Sequence, residues 1–181
     1  DAARGRDEIA IAAATVCEWL GEALAKGKRV RPLGAGWSPS NVNICSDAWL
    51  LHTRRFNRCF RVAADDVRPG IDASGLMLIE AGTLVDEVSD KFEAQGRSLW
   101  TSGAGNGQTF AGAAATGTHG SMVTRGGIQD HIRALQLVTP AGVHWVEPAA
   151  GGSIYVCFAA TGSTVLRDDD VFAAVQLPVG S

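Results

Sequence analysis

The chain is poor in several things, and each shortage removes a class of function. No stretch approaches the roughly 20 consecutive apolar residues of a membrane-spanning helix. There is no excess of positive charge: 16 Lys and Arg face 19 Asp and Glu, a net charge of −3. A nucleic-acid partner is therefore not expected, and any phosphate binding must come from local backbone geometry. Cysteine is scarce. Cys17, Cys45, Cys59 and Cys157 form no C-x-x-C pair and have no His at zinc-like spacing, which argues against a metal site. They read as reduced, mostly buried thiols, which points to a cytoplasmic setting. G-x-S-x-G is missing, and no Ser-His-Asp or Cys-His arrangement can be assembled by spacing, so hydrolase chemistry has no anchor. The N-terminus, DAARGRDEIA, has neither an initiator Met nor the apolar core of a signal peptide, and reads as that of a fragment or processed chain.

What is present is a soluble globular composition, 46% hydrophobic and 19% charged over 181 residues. At this length roughly 70% of the unfolded surface can be buried. The distinctive stretch is SGAGNGQTFAGAAATGTHGS, Ser102 to Ser121, whose six glycines cluster on either side of a short alanine-rich segment. Glycine lets backbone approach a partner closely and tolerates positive φ. A loop of this kind entering a short helix offers unpaired N–H groups to a phosphate. Thr109, Thr116, Thr118 and Ser121 add hydroxyls. The stretch thus reads as a wall of a phosphorylated cofactor's site. Tight packing of a helix on a sheet is the structural alternative.

A second glycine segment supports the cofactor reading. An amphipathic helix is expected from Glu8 to Lys26, with Ala12, Val16, Trp19, Leu20, Ala23 and Leu24 inward and Gly27 as its stop. A strand from Arg29 to Leu33 follows and runs into Gly34-Ala35-Gly36-Trp37-Ser38-Pro39-Ser40. G-x-G-x-x-G would need a third glycine and an immediate helix, so a Rossmann site is rejected. A glycine turn after a strand can still present amides to a pyrophosphate.

Further elements are expected in order. Ala48 to His52 is a strand, Arg54 to Arg61 a solvated basic connection, and Leu76 to Ala81 a buried strand. A helix begins at Thr83, with Asp86 in capping-box position, Leu84, Val88 and Phe92 inward, and Gly96 as its end. His131 to Thr139 is a strand that turns at Pro140-Ala141-Gly142 into Val143 to Val146. An apolar segment at Ile154 to Ala160 and a helix from Asp168-Asp169-Asp170 through Val175 complete the reading of a mixed α and β fold.

Set in order, GAGWSPS, IEAGTLVDEV, GNGQTFAGAAATGTHGS, IQDHIRALQLVTPAG and DDDVFAAV resemble the N-terminal flavin domain of the vanillyl-alcohol oxidase (PCMH-type) family. The likeness is closest to the sugar-lactone and alditol oxidase branch and to sterol oxidases, and it covers Glu8 to Ser181. It implies an α+β domain of two subdomains, about 1–82 and about 83–181, holding FAD, with a separate substrate-binding cap beyond this chain. By that likeness Gly34, Ala35, Gly36, Trp37 and Ser38 contact the pyrophosphate and ribityl region. The opposing wall runs through Gly103, Gly107, Gln108, Thr109, Gly112, Thr116, Gly117, Thr118, His119, Gly120 and Ser121.

Trp37 departs from the pattern, because many of these oxidases carry there a His bonded covalently to the flavin. Indole has no nucleophilic ring nitrogen, so noncovalent FAD is expected. Trp37 either packs the loop or stacks near the flavin. His119 either donates to the cofactor or satisfies its own loop, and His52, His144 and the Asp130-His131 pair read as structural. The resemblance implies oxidation of a small polyol, sugar lactone or sterol alcohol by hydride transfer to flavin N5. A nucleotide-binding module without catalysis and an NADPH-dependent reductase of the cell-wall precursor type are the rival readings.

Overall fold

A computed structural model describes residues 2–67, 70–146 and 164–166. In chain order the elements are α1 (Ala2–Ala25), β1 (Arg29–Leu33), β2 (Ala48–His52), β3 (Cys59–Arg61), β4 (Met77–Ile79), α2 (Val85–Glu93), α3 (Phe110–Ala115), β5 (Leu135–Thr139), β6 (Gly142–Val146) and β7 (Thr164–Leu166). Short 3-10 turns occur at Thr53–Arg55, Ala64–Asp66, Ala73–Gly75 and Ile128–His131. Helix and strand are intermixed, as the α+β reading requires. The segments Ile154 to Ala160 and Asp168 to Val175 lie outside the described residues, as does Cys157.

The chain divides into two compact units, Asp1–Glu22 with Val62–Leu76 and Arg133–Ser181, and Ala23–Arg61 with Met77–Ile132. In the first, β5 pairs antiparallel with β6 across the Pro140-Ala141 turn, and β6 pairs parallel with β7. Trp145 on β6 is 3% exposed and anchors this sheet's interior. Cys17 of α1 donates its thiol to the carbonyl of Thr139 at 3.2 Å.

The second unit carries both glycine segments. Its β1 and β2 run parallel in the register Arg29↔Ala48 to Leu33↔His52. Parallel neighbours need a long crossover, and here residues 34–47 make it without a helix. β3 and β4 pair antiparallel. The core is Val85, Val88, Phe110, Ala113 and Ile128, with Ile79, Phe92, Leu99 and Ile132 packed against it.

The three helices among the described residues stop by one device. Gly27, Gly96 and Gly117 adopt left-handed φ of 63°, 67° and 68°. The next residue's N–H then bonds back five residues: Lys28 to Ala23 at 2.8 Å, Arg97 to Phe92 at 3.0 Å and Thr118 to Ala113 at 2.9 Å. A side chain with Cβ resists that φ, which is why glycine marks each end.

Several expectations shift. α1 extends back to Ala2, since nothing in its alanine-rich start breaks a helix. Its inward face is formed by Ile9, Ala13 and Ala23, while Trp19 and Leu24 are exposed. α2 starts two residues late because Thr83 is buried at 1% exposure, with its hydroxyl directed to the Arg58 carbonyl. The capping carboxylate is therefore Glu87, which accepts from the Leu84 N–H at 2.7 Å, rather than Asp86. The strand foreseen from His131 begins at Leu135. The residues before it form a turn that buries Ile128 completely. Cys17, Cys45 and Cys59 are free thiols, half-buried rather than buried.

The basic connection after β2 is not simply solvated. Arg54 reaches Glu87 at 3.2 Å and also donates to the Gly82 carbonyl, while Arg58 pairs with Glu80 at 2.6 Å. Gly82 is the tightest point. Its N–H bonds the Phe56 carbonyl at 2.7 Å, and a Cβ on it would overlap the backbone carbonyl of Thr53. Backbone cannot yield as a flexible side chain can, so Gly82→Ala is expected to lower stability by about 1–3 kcal/mol in chemical denaturation. An unchanged midpoint would contradict this packing.

Candidate functional site

The first glycine segment begins where β1 ends. The Leu33 carbonyl accepts from the Thr53 hydroxyl at 3.1 Å, which fixes the exit of the strand. Gly34 lies so close to the second segment that a Cβ would stand 2.5 Å from Thr109 Oγ1. Gly36 has φ 73° and open space around it. Trp37 follows, 56% exposed, with its six-membered ring seated against Gly105 and Gly107. Ser38 and Ser40 share a hydroxyl contact of 3.1 Å. The two segments, about 70 positions apart in sequence, are therefore in contact within one unit.

The second segment is held from behind by the start of α2. A helix leaves its first N–H groups without intrahelical partners. Here Val85 N–H donates to the Gln108 carbonyl at 3.0 Å and Asp86 N–H to the Asn106 carbonyl at 3.1 Å. Phe110 N–H returns a bond to the Thr83 carbonyl at 2.7 Å. The loop's carbonyls are thus used by α2. Among the described residues, no protein acceptor meets the N–H groups of Ala35, Gly36, Trp37 and Ser38, or of Gly103, Ala104, Gly105 and Gly107.

The entry to α3 differs from the sequence expectation. Thr109 Oγ1 accepts from Gly112 N–H at 3.3 Å and the Thr109 carbonyl from Ala113 N–H at 2.9 Å. Phe110 N–H is engaged by Thr83, so among the described residues only Ala111 N–H of this helix's first four is left without a protein acceptor. Most of the free donors sit in the loops instead. Beyond α3, Thr116 donates back to the Gly112 carbonyl at 3.0 Å, and Gly117 serves the helix stop. Thr118 packs its methyl against Gly103, and Gly120 N–H bonds Thr101 Oγ1 at 3.1 Å. His119 is exposed and its Nδ1 meets the Gly120 carbonyl at 2.9 Å, so one ring nitrogen is engaged by its own loop. Among the described residues, no hydrogen bond joins Thr116, His119 or Ser121 to the 34–38 segment.

Two buried acceptors stand out. The amide oxygens of Asn106 and Gln108 have almost no solvent contact and no protein hydrogen-bond partner. A buried polar atom without a partner is costly, on the order of 1–3 kcal/mol, and a ligand's O–H or N–H would relieve it. Gln108 was foreseen. Asn106 was not, although its place between two glycines in GNG was the available signal. Free backbone donors suit a pyrophosphate, and orphaned acceptors suit hydroxyls or ring N–H groups. The residues present fit a flavin dinucleotide.

Nearby, Trp100 stacks on His131 with ring centroids 4.2 Å apart and 25° between planes, and Arg125 lies over Trp100 at 5.5 Å. The sequence reading missed this stack, since neither residue stands out by spacing. His144, half-buried, contacts Thr139 Oγ1 at 3.2 Å, and His52 is exposed on β2. Burial pushes the Cys59 thiol pKa up from its ordinary value.

With that geometry in place, the family is clear: residues 12–147 match the FAD binding domain model, and the chain belongs to that family. FAD is accordingly its cofactor. The chain is similar to L-gulonolactone oxidase of Scyliorhinus torazame, 34% identical over 117 residues, which are 65% of this chain and 24% of that protein. It is also similar to L-gulonolactone oxidase of Bos taurus, 27% identical over 165 residues, 91% of this chain and 32% of the relative. D-arabinono-1,4-lactone oxidase of Candida albicans is 27% identical over 133 residues, 69% of this chain and 23% of the relative. The chain matches about a fifth to a third of these relatives' length. Among the described residues no helix is long and apolar enough to cross a membrane.

The scaffold behind the site is sensitive to acid through Glu87. The Arg54 hydrogen bond, foremost, and the Leu84 N–H hold its carboxyl below the ordinary 4.5, against a smaller opposing effect of burial. A lowered folded pKa stabilises the fold fully above the unfolded value, and that stabilisation is lost as pH falls through the folded one. Glu87→Gln is therefore expected to destabilise at pH 7 by up to about 1 kcal/mol, since the pair is partly solvent-screened. The difference from wild type should shrink below pH 4.5. A gap that stays constant down to pH 3 would refute the pairing.

Proposed function

We propose that this chain is the flavin-holding part of an enzyme that oxidises an alcohol carbon of a small sugar-derived molecule, with a sugar lactone as the favoured class. The contact of two glycine-rich segments, each with free backbone donors, carries the reading. The names of the relatives, lactone oxidases all, support the substrate class. Substrate selection is assigned to a cap domain outside this chain. Division of the flavin domain into two subdomains and a cytoplasmic setting belong to the same proposal.

FAD, when bound, supplies the hydride acceptor. The chain's own residues do the holding. N–H groups of Ala35, Gly36 and Ser38 meet anionic oxygen without adding net charge, which a chain of net charge −3 requires. Asn106 and Gln108 accept from hydroxyl or ring N–H donors. Thr109 holds the two segments in contact at Gly34, and the Gly117–Ser121 turn completes the wall. Trp37 offers no nucleophile for a covalent bond, so the cofactor is held noncovalently.

An absorbance spectrum of the full-length protein, taken after FAD loading, desalting and acid precipitation, tests this. A flavin band should survive desalting and appear in the acid supernatant, and addition of a sugar lactone should bleach it. Flavin left in the pellet would overturn the noncovalent assignment. Bleaching by NADPH but by no alcohol would overturn the substrate class.

A further inference from the structure

Gly105 and Gly107 raise a specific question. Neither has a positive φ, unlike Gly36 and Gly117, so backbone conformation does not demand glycine at either place. What demands it is Trp37. A Cβ at 105 would stand 2.8 Å from Trp37 Cζ3 and 3.0 Å from Cη2, with no other residue within 4 Å. A Cβ at 107 would have indole atoms as its three nearest neighbours, including Cε2 at 2.8 Å and Nε1 at 3.0 Å. One side chain of the first segment therefore spans two glycines of the second, with Asn106 between them. The same stretch is gripped from behind at the Asn106 carbonyl by Asp86 N–H.

We propose that Trp37 is a cofactor-positioning residue: its indole, interlocked with Gly105 and Gly107, sets the second segment so that its free N–H groups and the Asn106 amide are presented together. This rests on the FAD reading above and deepens it. Trp37 remains 56% exposed, so the interlock does not bury the residue. A packing residue with no role toward the cofactor would act on stability alone. A positioning residue must act on FAD affinity.

A double-mutant cycle on the full-length protein separates these, with FAD alone as the probe and both the apo unfolding midpoint and the FAD dissociation constant as readouts. Trp37→Ala should weaken FAD binding by about tenfold, a contact-sized loss. Gly107→Ala should weaken it comparably while Trp37 is present, because the new methyl displaces the indole, and should do nothing further in Trp37→Ala. Trp37→Phe keeps a ring on the glycines and should recover most of the affinity. If Trp37→Ala fails to fold, Trp37→Leu, which also takes the ring off the glycines, replaces it in the cycle with Gly107→Ala. Independent, multiplicative losses would overturn the proposal, as would coupling seen in the apo midpoint with FAD affinity unchanged. A wild type that binds no FAD would overturn the proposed function and this role with it. FAD binding without coupling would overturn only this role.

Discussion

The arrangement depends on how one helix disposes of its first N–H groups. Side chains take up two N–H groups at the start of α2, Glu87 accepting from Leu84 and Asp86 from Glu87, and the helix meets the rest of its need by taking the carbonyls of Asn106 and Gln108. Within a trans peptide unit the carbonyl and the N–H that follows it point opposite ways, so a loop that gives the Asn106 carbonyl to a helix turns the Gly107 N–H away from it. The second glycine segment thereby keeps donors that α2 does not use. The Phe110 N–H bond to Thr83 and the Thr109 cap on α3 close the far side, and what remains for a ligand is the run before Thr109.

Other features follow from that clasp. Gly82 must be glycine because the chain entering α2 passes directly over the Thr53 carbonyl, and Arg54 bridges the Gly82 carbonyl to Glu87. Gly34 must approach Thr109 for the first segment to lie beside the second. Arg54 and Arg58 are used in structural pairs with Glu87 and Glu80. Membership in the FAD binding domain family accords with the anion site proposed for these neutral N–H groups.

Much of this was legible in the residues. β1 and β2 fall at the bounds expected for them, Arg29 to Leu33 and Ala48 to His52, and Gly27 and Gly96 end helices as their position predicts. The two glycine segments could be singled out by their glycine and hydroxyl content, and the structure brings them into contact. What was hidden is what needs partners distant in sequence. Arg54 and Arg58 look like solvated charge until Glu87 and Glu80 are brought to them. Thr83 looks like a helix cap until burial commits its hydroxyl elsewhere. Trp37 read equally as packing or stacking, and only its fit on Gly105 and Gly107 shows which residues it touches. Asn106 gave no sign beyond its place between two glycines, because an orphaned amide is a property of burial.

Amide hydrogen exchange of the full-length protein with and without FAD tests the central claim most directly, namely that both segments present backbone donors to one cofactor. The account predicts that FAD slows exchange together at Ala35 to Ser38 and at Gly103 to Gly107. Gly112 and Ala113, already bonded within α3, should change little. Protection confined to one segment, or appearing at α3 while both loops exchange freely, would contradict it.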